Sequence, residues 1–412
     1  MSDLTEDHSA KKIHWPSVLQ FALSSIAVIG VWTSAVFIGI IAVFQYYGEH
    51  FEQSDPASLM VTAAVGFFTG LLLLLSALLS GARLLGYSGS MNEIWIRIWR
   101  IFHPRRLIWL LPLVLLIGYW VSKQTFAWWL IAPFHIIASC IPLAWLVWLG
   151  GRGLKKGSPQ RDWGVFTSGL VLGPFLVFIF EIVCLIVIGI LFGIYISQHQ
   201  EIMTELQGIM MQFQGTQIDA DQLLSSMADF INSGPALSLV IVYLAIVVPL
   251  IEEAVKPLGV WLLGGRQLTC QEGLFIGMLS GAGFALYENF LSFNGATGWV
   301  LTVLVRLTTT VIHISTAGLT GWALVGVFKK QRYLQFFCAY FLSVIIHALW
   351  NANVVLFGFT FTLYSITGLS KPPLLPYHLQ FSSPLFLVYL ALAAFIWILL
   401  ANQHLQGKEV VE

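Results

Sequence analysis

Apolar and polar residues in this chain come in long blocks. Runs of about 18 or more apolar residues, enough to cross a bilayer as helix, mark candidate spans. Ten occur, at roughly 17–45, 58–82, 107–122, 127–150, 165–198, 235–264, 272–293, 299–328, 335–357 and 384–402. The third, "LIWLLPLVLLIGYWV", is short and carries a proline. The predicted fold is all-α, a polytopic membrane protein of about ten transmembrane helices. The first run is too long for a signal-peptide core and no cleavage signature follows it, so it is expected to stay as an anchor. The largest segment between spans, 199–234, is acidic with Met, Leu, Phe and Ile at helical spacing. It is predicted to form amphipathic helix on the membrane surface.

Composition agrees. Of 412 residues, 58% are hydrophobic and 10% charged, against roughly 25% charged in a soluble domain. Net charge is zero, which argues against a nucleic-acid partner. Cys140, Cys184, Cys270 and Cys338 lie in or beside apolar runs without CxxC spacing, so neither a disulfide framework nor a cysteine zinc site is expected. Lys and Arg alternate between loops. Arg83, Arg97, Arg100, Arg105 and Arg106 follow the second span; Arg152, Lys155, Lys156 and Arg161 the fourth; Arg266 the sixth; Lys329, Lys330 and Arg332 the eighth. The intervening loops carry one lysine or none. By the positive-inside rule this supports ten spans with both termini cytoplasmic. The chain then divides into a cytoplasmic tail (1–16), five N-terminal spans (17–198), the amphipathic segment (199–234), a core (235–357), and a final loop, span and cytoplasmic tail (358–412).

Ionisable residues at membrane depth are costly and mark function. Most lie in spans six to nine. "PLIEEAVKPLGVW" places Glu252, Glu253 and Lys256 in span six. Span seven holds Glu288 and Asn289, span eight Arg306 and His313, and span nine His347 and Asn351. The first half offers His135 and Glu181, read as packing residues. At 1.5 Å per residue, Glu252 lies about 21 Å from Arg266, His347 about 22 Å from Arg332, and His313 about 24 Å from Lys329. Groups on helices of alternating direction thus converge in depth. His347 and Asn351 share a face, as do Glu252 and Lys256. Glu252 and Glu253 are about 100° apart on a helix. Both can aim at one point only if the neighbouring proline or a local unwinding helps. Lys256 is expected to hold them.

Carboxylates, imidazoles and an amide at one depth suit water activation and oxyanion stabilisation. Glu and His also suit zinc, although no HExxH is present. A proton- or cation-coupled transporter is the alternative use of buried Glu and His. No repeat or paired interrupted helices favour it.

These motifs resemble the PrsW family of intramembrane proteases. "EEAVK" is similar to its EExxK motif, "FALYE" to FxxxE, "HISTAGLTGWALVG" to its histidine element, and "HALWN" to HxxxD, with Asn351 in the aspartate position. The CAAX prenyl endopeptidases and related processing proteases of the same superfamily have HxxxN there. The resemblance covers roughly 235–357. It implies hydrolysis of a peptide bond in a membrane-anchored substrate, possible examples being single-span proteins such as an anti-sigma factor, in a prokaryotic cytoplasmic membrane. It implies that Glu252 activates water, Glu253 supports it, Glu288 orients water or shares a proton, His313 or His347 shuttles the proton, and Asn351 completes the oxyanion site. The family is described both as metallo- and as glutamic-type. Without metal-specific spacing a metal-free mechanism is favoured. If a metal such as zinc takes part, Glu252, Glu288, His313 and His347 are the expected ligands.

Overall fold

The computed structural model describes residues 14–47, 56–124, 129–212, 239–264, 268–293, 298–367 and 377–408. These are helical, with no strand among them. In chain order the helices are α1 (Trp15–Tyr47), α2 (Pro56–Leu84), α3 (Ser88–Ile101), α4 (Pro104–Leu107), α5 (Leu111–Ser122), α6 (Ile131–Gly150), α7 (Pro159–Thr167), α8 (Gly173–Ser197), α9 (Gln200–Gln212), α10 (Val248–Val255), α11 (Leu258–Leu263), α12 (Cys270–Leu291), α13 (Trp299–Lys330), α14 (Tyr333–Thr367) and α15 (Tyr377–Lys408). Helix α9 begins the predicted amphipathic segment. Residues 213–234 of that segment lie outside the described residues.

Nine helical runs among the described residues are long and apolar enough to cross a membrane. They correspond to nine of the ten predicted spans, which gives a multi-pass integral membrane protein. The exception is span six, expected as one helix over 235–264. Its described part is a π-helical segment (Tyr243–Val247), then α10, then a break at Lys256–Pro257, then α11. Two prolines account for this. A proline has no N–H to give the carbonyl four residues back, and its ring crowds that carbonyl. In the π register Val248 N–H bonds Tyr243 O, five residues back, so Pro249 leaves Leu244 without a main-chain donor, and Pro257 offers Glu253 none at the break.

The chain divides into two units. The first comprises Met1–Ile141, Gly157–Thr167 and Phe290–Thr302. In it α1 packs along α2, with polar links inside the apolar surface. Gln20 Nε2 and Ser24 Oγ both donate to Ser76 Oγ at 3.0 Å, and Thr167 Oγ1 donates to the same oxygen at 3.2 Å. Such bonds join helices where lipid offers no hydrogen-bond partner. His135 is buried here. It accepts from Trp299 Nε1 at 3.3 Å and meets Phe293 edge-on, the packing role expected of it.

The second unit comprises Pro142–Lys156, Ser168–Asn289 and Val303–Glu412. Its core is the close pairing of α12 and α13. Gly273, Gly277 and Gly281 recur at four-residue spacing and so share a face. A Cβ on Gly281 would meet the His313 carbonyl oxygen at 2.7 Å, and one on Gly321 would meet the Gly273 carbonyl oxygen at 2.6 Å. Only glycine allows the two backbones this approach. The contact fixes His313 beside the turn of α12 that leads to Glu288. Helix α15 closes the unit, with Ile312, Trp350, Leu387 and Ala394 in one apolar cluster.

Gly281→Val should push α12 and α13 apart. Overpacking of this kind costs about 1–3 kcal/mol. Thermal unfolding of the detergent-purified chain should show a lower midpoint than wild type; an unchanged midpoint would contradict the tight pairing.

Candidate functional site

Helix α14 holds the broken sixth span against itself by two bonds to main-chain carbonyls. Asn351 Nδ2 donates to Leu244 O at 2.9 Å, within the π segment. The Tyr340 hydroxyl donates to Leu250 O at 2.6 Å, within α10. His347 sits between these two residues along α14. Its ring is thereby held against the segment carrying both glutamates.

The charges then sort themselves. Lys256 Nζ lies 2.6 Å from Glu253 Oε1 and 3.0 Å from Glu252 Oε2, and its side chain has no exposed surface. No distortion is needed for this: Glu252 and Glu253 stand four and three residues before Lys256 in helical backbone, so both neighbour its side chain. The Lys256 ammonium also stands over the Phe284 ring, 5.3 Å from its centroid, a favourable cation–π placement. Phe284 is the aromatic residue of "FALYE", for which the sequence reading found no task.

Glu253 is fully enclosed, and its Oε1 is also 2.9 Å from His347 Nδ1. Glu252 differs. Its Oε2 lies near Lys256 without hydrogen-bond alignment and has no hydrogen-bond partner. That oxygen faces His347 Nε2 at 3.9 Å.

A second group fixes His313. Its Nε2 is 2.8 Å from Glu288 Oε2, and Arg306 Nη2 is 2.6 Å from the same oxygen. Arg306 is itself held. Its Nε donates to Asn289 Oδ1 at 3.0 Å, Asn289 Nδ2 donates to Thr310 Oγ1 at 3.0 Å, and Thr310 Oγ1 donates to the Arg306 carbonyl at 2.7 Å. Glu288 thus stands behind His313, with Arg306 as counter-ion.

The protons follow from these contacts. A carboxylate accepts only. His313 must donate Nε2–H to Glu288, which leaves Nδ1 as a lone pair, and Nδ1 is buried with no hydrogen-bond partner. His347 Nδ1 faces both Glu253 Oε1 at 2.9 Å and Lys256 Nζ at 3.1 Å. With its proton on Nδ1, towards Glu253, His347 presents a lone pair at Nε2, and in that tautomer three acceptors converge: Glu252 Oε2, His313 Nδ1 and His347 Nε2. One ligand atom from each of Glu252, His313 and His347 lies within 4.8 Å of the others. Buried acceptors cannot satisfy one another. A proton donor such as water, or a cation, fits between them. Each histidine is backed by its own carboxylate, the arrangement that orients imidazole ligands in metal sites.

Residues 216–397 match the family described as PrsW family intramembrane metalloprotease. The chain carries a PrsW-family core. The match to this family over that stretch indicates intramembrane protease activity and lends the transporter alternative no support. No curated protein and no solved structure matches the chain. The match extends beyond 357 into α15, which the sequence reading left outside the core. That helix carries none of the motif residues, and its packing on α13 and α14 was not legible without coordinates.

Of the expected PrsW site residues, Glu252, Glu253, His313 and His347 come together. Glu288 reaches the group through His313, and Asn351 is engaged with the π-segment carbonyl. For Glu181, the described contact is at its main-chain carbonyl, 3.4 Å from the Tyr243 hydroxyl. The sequence reading missed Tyr340 as a holder of α10, although it lies two turns from His347 on one face. Arg306 is the structural cation of this group, paired with Glu288 across adjacent spans.

Lys256→Met should leave two carboxylates buried with no cation. Breaking a buried pair in this way costs about 3–5 kcal/mol. The thermal midpoint should fall sharply and recover in part in Lys256→Met with Glu253→Gln. An unaltered midpoint in the single variant would contradict the pairing.

Proposed function

We propose that the PrsW core hydrolyses a peptide bond of a membrane-anchored protein, with single-span proteins, an anti-sigma factor among them, as the substrate class. The observation that carries the reading is the convergence of three buried acceptors on one point. In this reading a water molecule donates one O–H to Glu252 Oε2 and the other to one of the two imidazole nitrogens. Glu252 takes the proton as the water oxygen bonds to the peptide carbonyl carbon. The carbon–nitrogen bond then breaks, and that proton passes to the leaving nitrogen. Glu253 and Lys256 hold His347 and Glu252 in place. Glu288 and Arg306 set the tautomer of His313. Asn351 fastens the π segment through one amide N–H, and its second N–H is the one left for an oxyanion.

A divalent metal is the second reading, favoured by the family description and by the donor set. Two imidazole nitrogens and one carboxylate oxygen, with His313 Nδ1 outside any hydrogen bond, suit zinc. Glu252, His313 and His347 would hold the ion, with Glu253 and Glu288 behind the imidazoles. A bound ion there would lower the pKa of water and polarise the carbonyl. Glu288 is then a support for His313 and stands outside the ligand set.

Cleavage of a co-reconstituted single-span reporter tests both readings. Glu252→Gln should reduce it by about 10²–10⁴-fold, and Arg306→Gln by about 10–100-fold, the scale of losing an outer support. Full cleavage by folded Glu252→Gln would overturn the mechanism. Loss of cleavage on chelation, restored by zinc, would select the metal reading; resistance to chelation would select the metal-free one.

A further inference from the structure

The basic segment after the second span contains a helix that the spanning pattern did not predict. Three residues separate α3 from the end of α2, and it stops at Ile101. His103 is extended, with φ −69° and ψ 125°, and Pro104 starts the next helix. Crossing the membrane does not require α3. Pro104 to Ser122 is 19 residues, about 28 Å of helix, and a bilayer core is about 30 Å thick. Helix α3 is thus joined within three residues to a spanning run at each end, which holds it at the membrane boundary.

Its faces are distinct. Ile94, Ile98 and Ile101 form one stripe at four- and three-residue spacing, and they are 51%, 41% and 66% exposed. Trp95 and Trp99 flank this stripe on one side. The Trp95 ring meets Trp163 of α7 at 5.3 Å, and Trp163 Nε1 in turn donates to Leu72 O at 3.1 Å. The helix is therefore anchored to α2 through α7. Arg97 and Arg100 flank the stripe on the other side, both exposed. Arg105 and Arg106, also exposed, follow the bend. From Arg83 to Arg106 there are five arginines and one acidic residue, Glu93. Ile96 alone breaks the pattern, on the polar side.

We propose that α3 lies in the bilayer interface and binds anionic phospholipid headgroups through Arg97 and Arg100, with Arg105 and Arg106 adding to the field. The isoleucine stripe seats among acyl chains, as amphipathic interfacial helices do. The tryptophans sit at headgroup level, where their rings are favoured. Guanidinium groups pair with phosphate in bidentate fashion. The occupant is a lipid surface, because the apolar stripe and the arginines border one another and a free anion would satisfy the arginines alone.

The test uses the full chain, purified and offered equal amounts of phosphatidylglycerol and phosphatidylcholine, with bound lipid read by native mass spectrometry. Wild type should retain phosphatidylglycerol selectively. Arg97→Gln with Arg100→Gln should lower that selectivity roughly 30-fold, from about 1 kcal/mol per arginine near an anionic surface. Lys at both positions should keep most of it, and keeps the proposal testable should the Gln variant unfold. Equal retention of the two lipids by wild type, or unchanged selectivity in the folded Gln variant, would overturn the proposal. So would complete displacement by excess inorganic phosphate, which would mark a free-anion site.

Discussion

One ammonium group sets the order of the second unit. Lys256 has no exposed surface and touches both carboxylates of the glutamate pair. An unpaired charge at this depth would be prohibitive, so the lysine and the glutamates must fold as one object. The pairing is unequal. Glu253 gives its hydrogen-bonding oxygen to Lys256 and His347, whereas Glu252 keeps an oxygen turned towards His347 Nε2 and outside any hydrogen bond. Two adjacent residues of one type thereby acquire different surroundings, one held from two sides and one with an oxygen turned towards His347.

Prolines at 249 and 257 interrupt the sixth span on either side of the glutamates, and α14 satisfies carbonyls of the interrupted stretch from Asn351 and Tyr340. The glycine face between α12 and α13 brings His313 to the same place from the other side. Interrupted helices are tolerated in membranes only where neighbours supply the missing hydrogen bonds. Here those neighbours are the residues that also position the imidazole.

Much of this was legible in the sequence, and the limits have physical causes. Counting 1.5 Å per residue from the basic loops put Glu252, His313 and His347 at one depth, and their ligand atoms lie within 4.8 Å of one another. The helical offset of Glu252 and Glu253 suggested a local distortion, yet both lie in regular helix and meet Lys256 at ordinary helical spacing; the offset instead separates the surroundings of their outer oxygens. Side-chain partners were less accessible, because spacing gives a face and not what lies opposite it. Asn351 shares a face with His347 yet reaches a main-chain carbonyl, and Glu288 turns to Arg306 and His313 instead of joining Glu252. Helix α15 was predicted as a span, but its packing on the core left no signal, since apolar packing surfaces resemble lipid-facing ones in composition.

The central claim is that Glu252 faces the peptide bond to be cut. The most direct measurement compares the termini of single-span membrane proteins in cells carrying the wild-type chain and cells carrying Glu252→Gln at equal abundance. A set of new termini within or beside spans should be present with wild type and absent with Glu252→Gln, with the uncut proteins accumulating. Identical termini in the two would contradict the account.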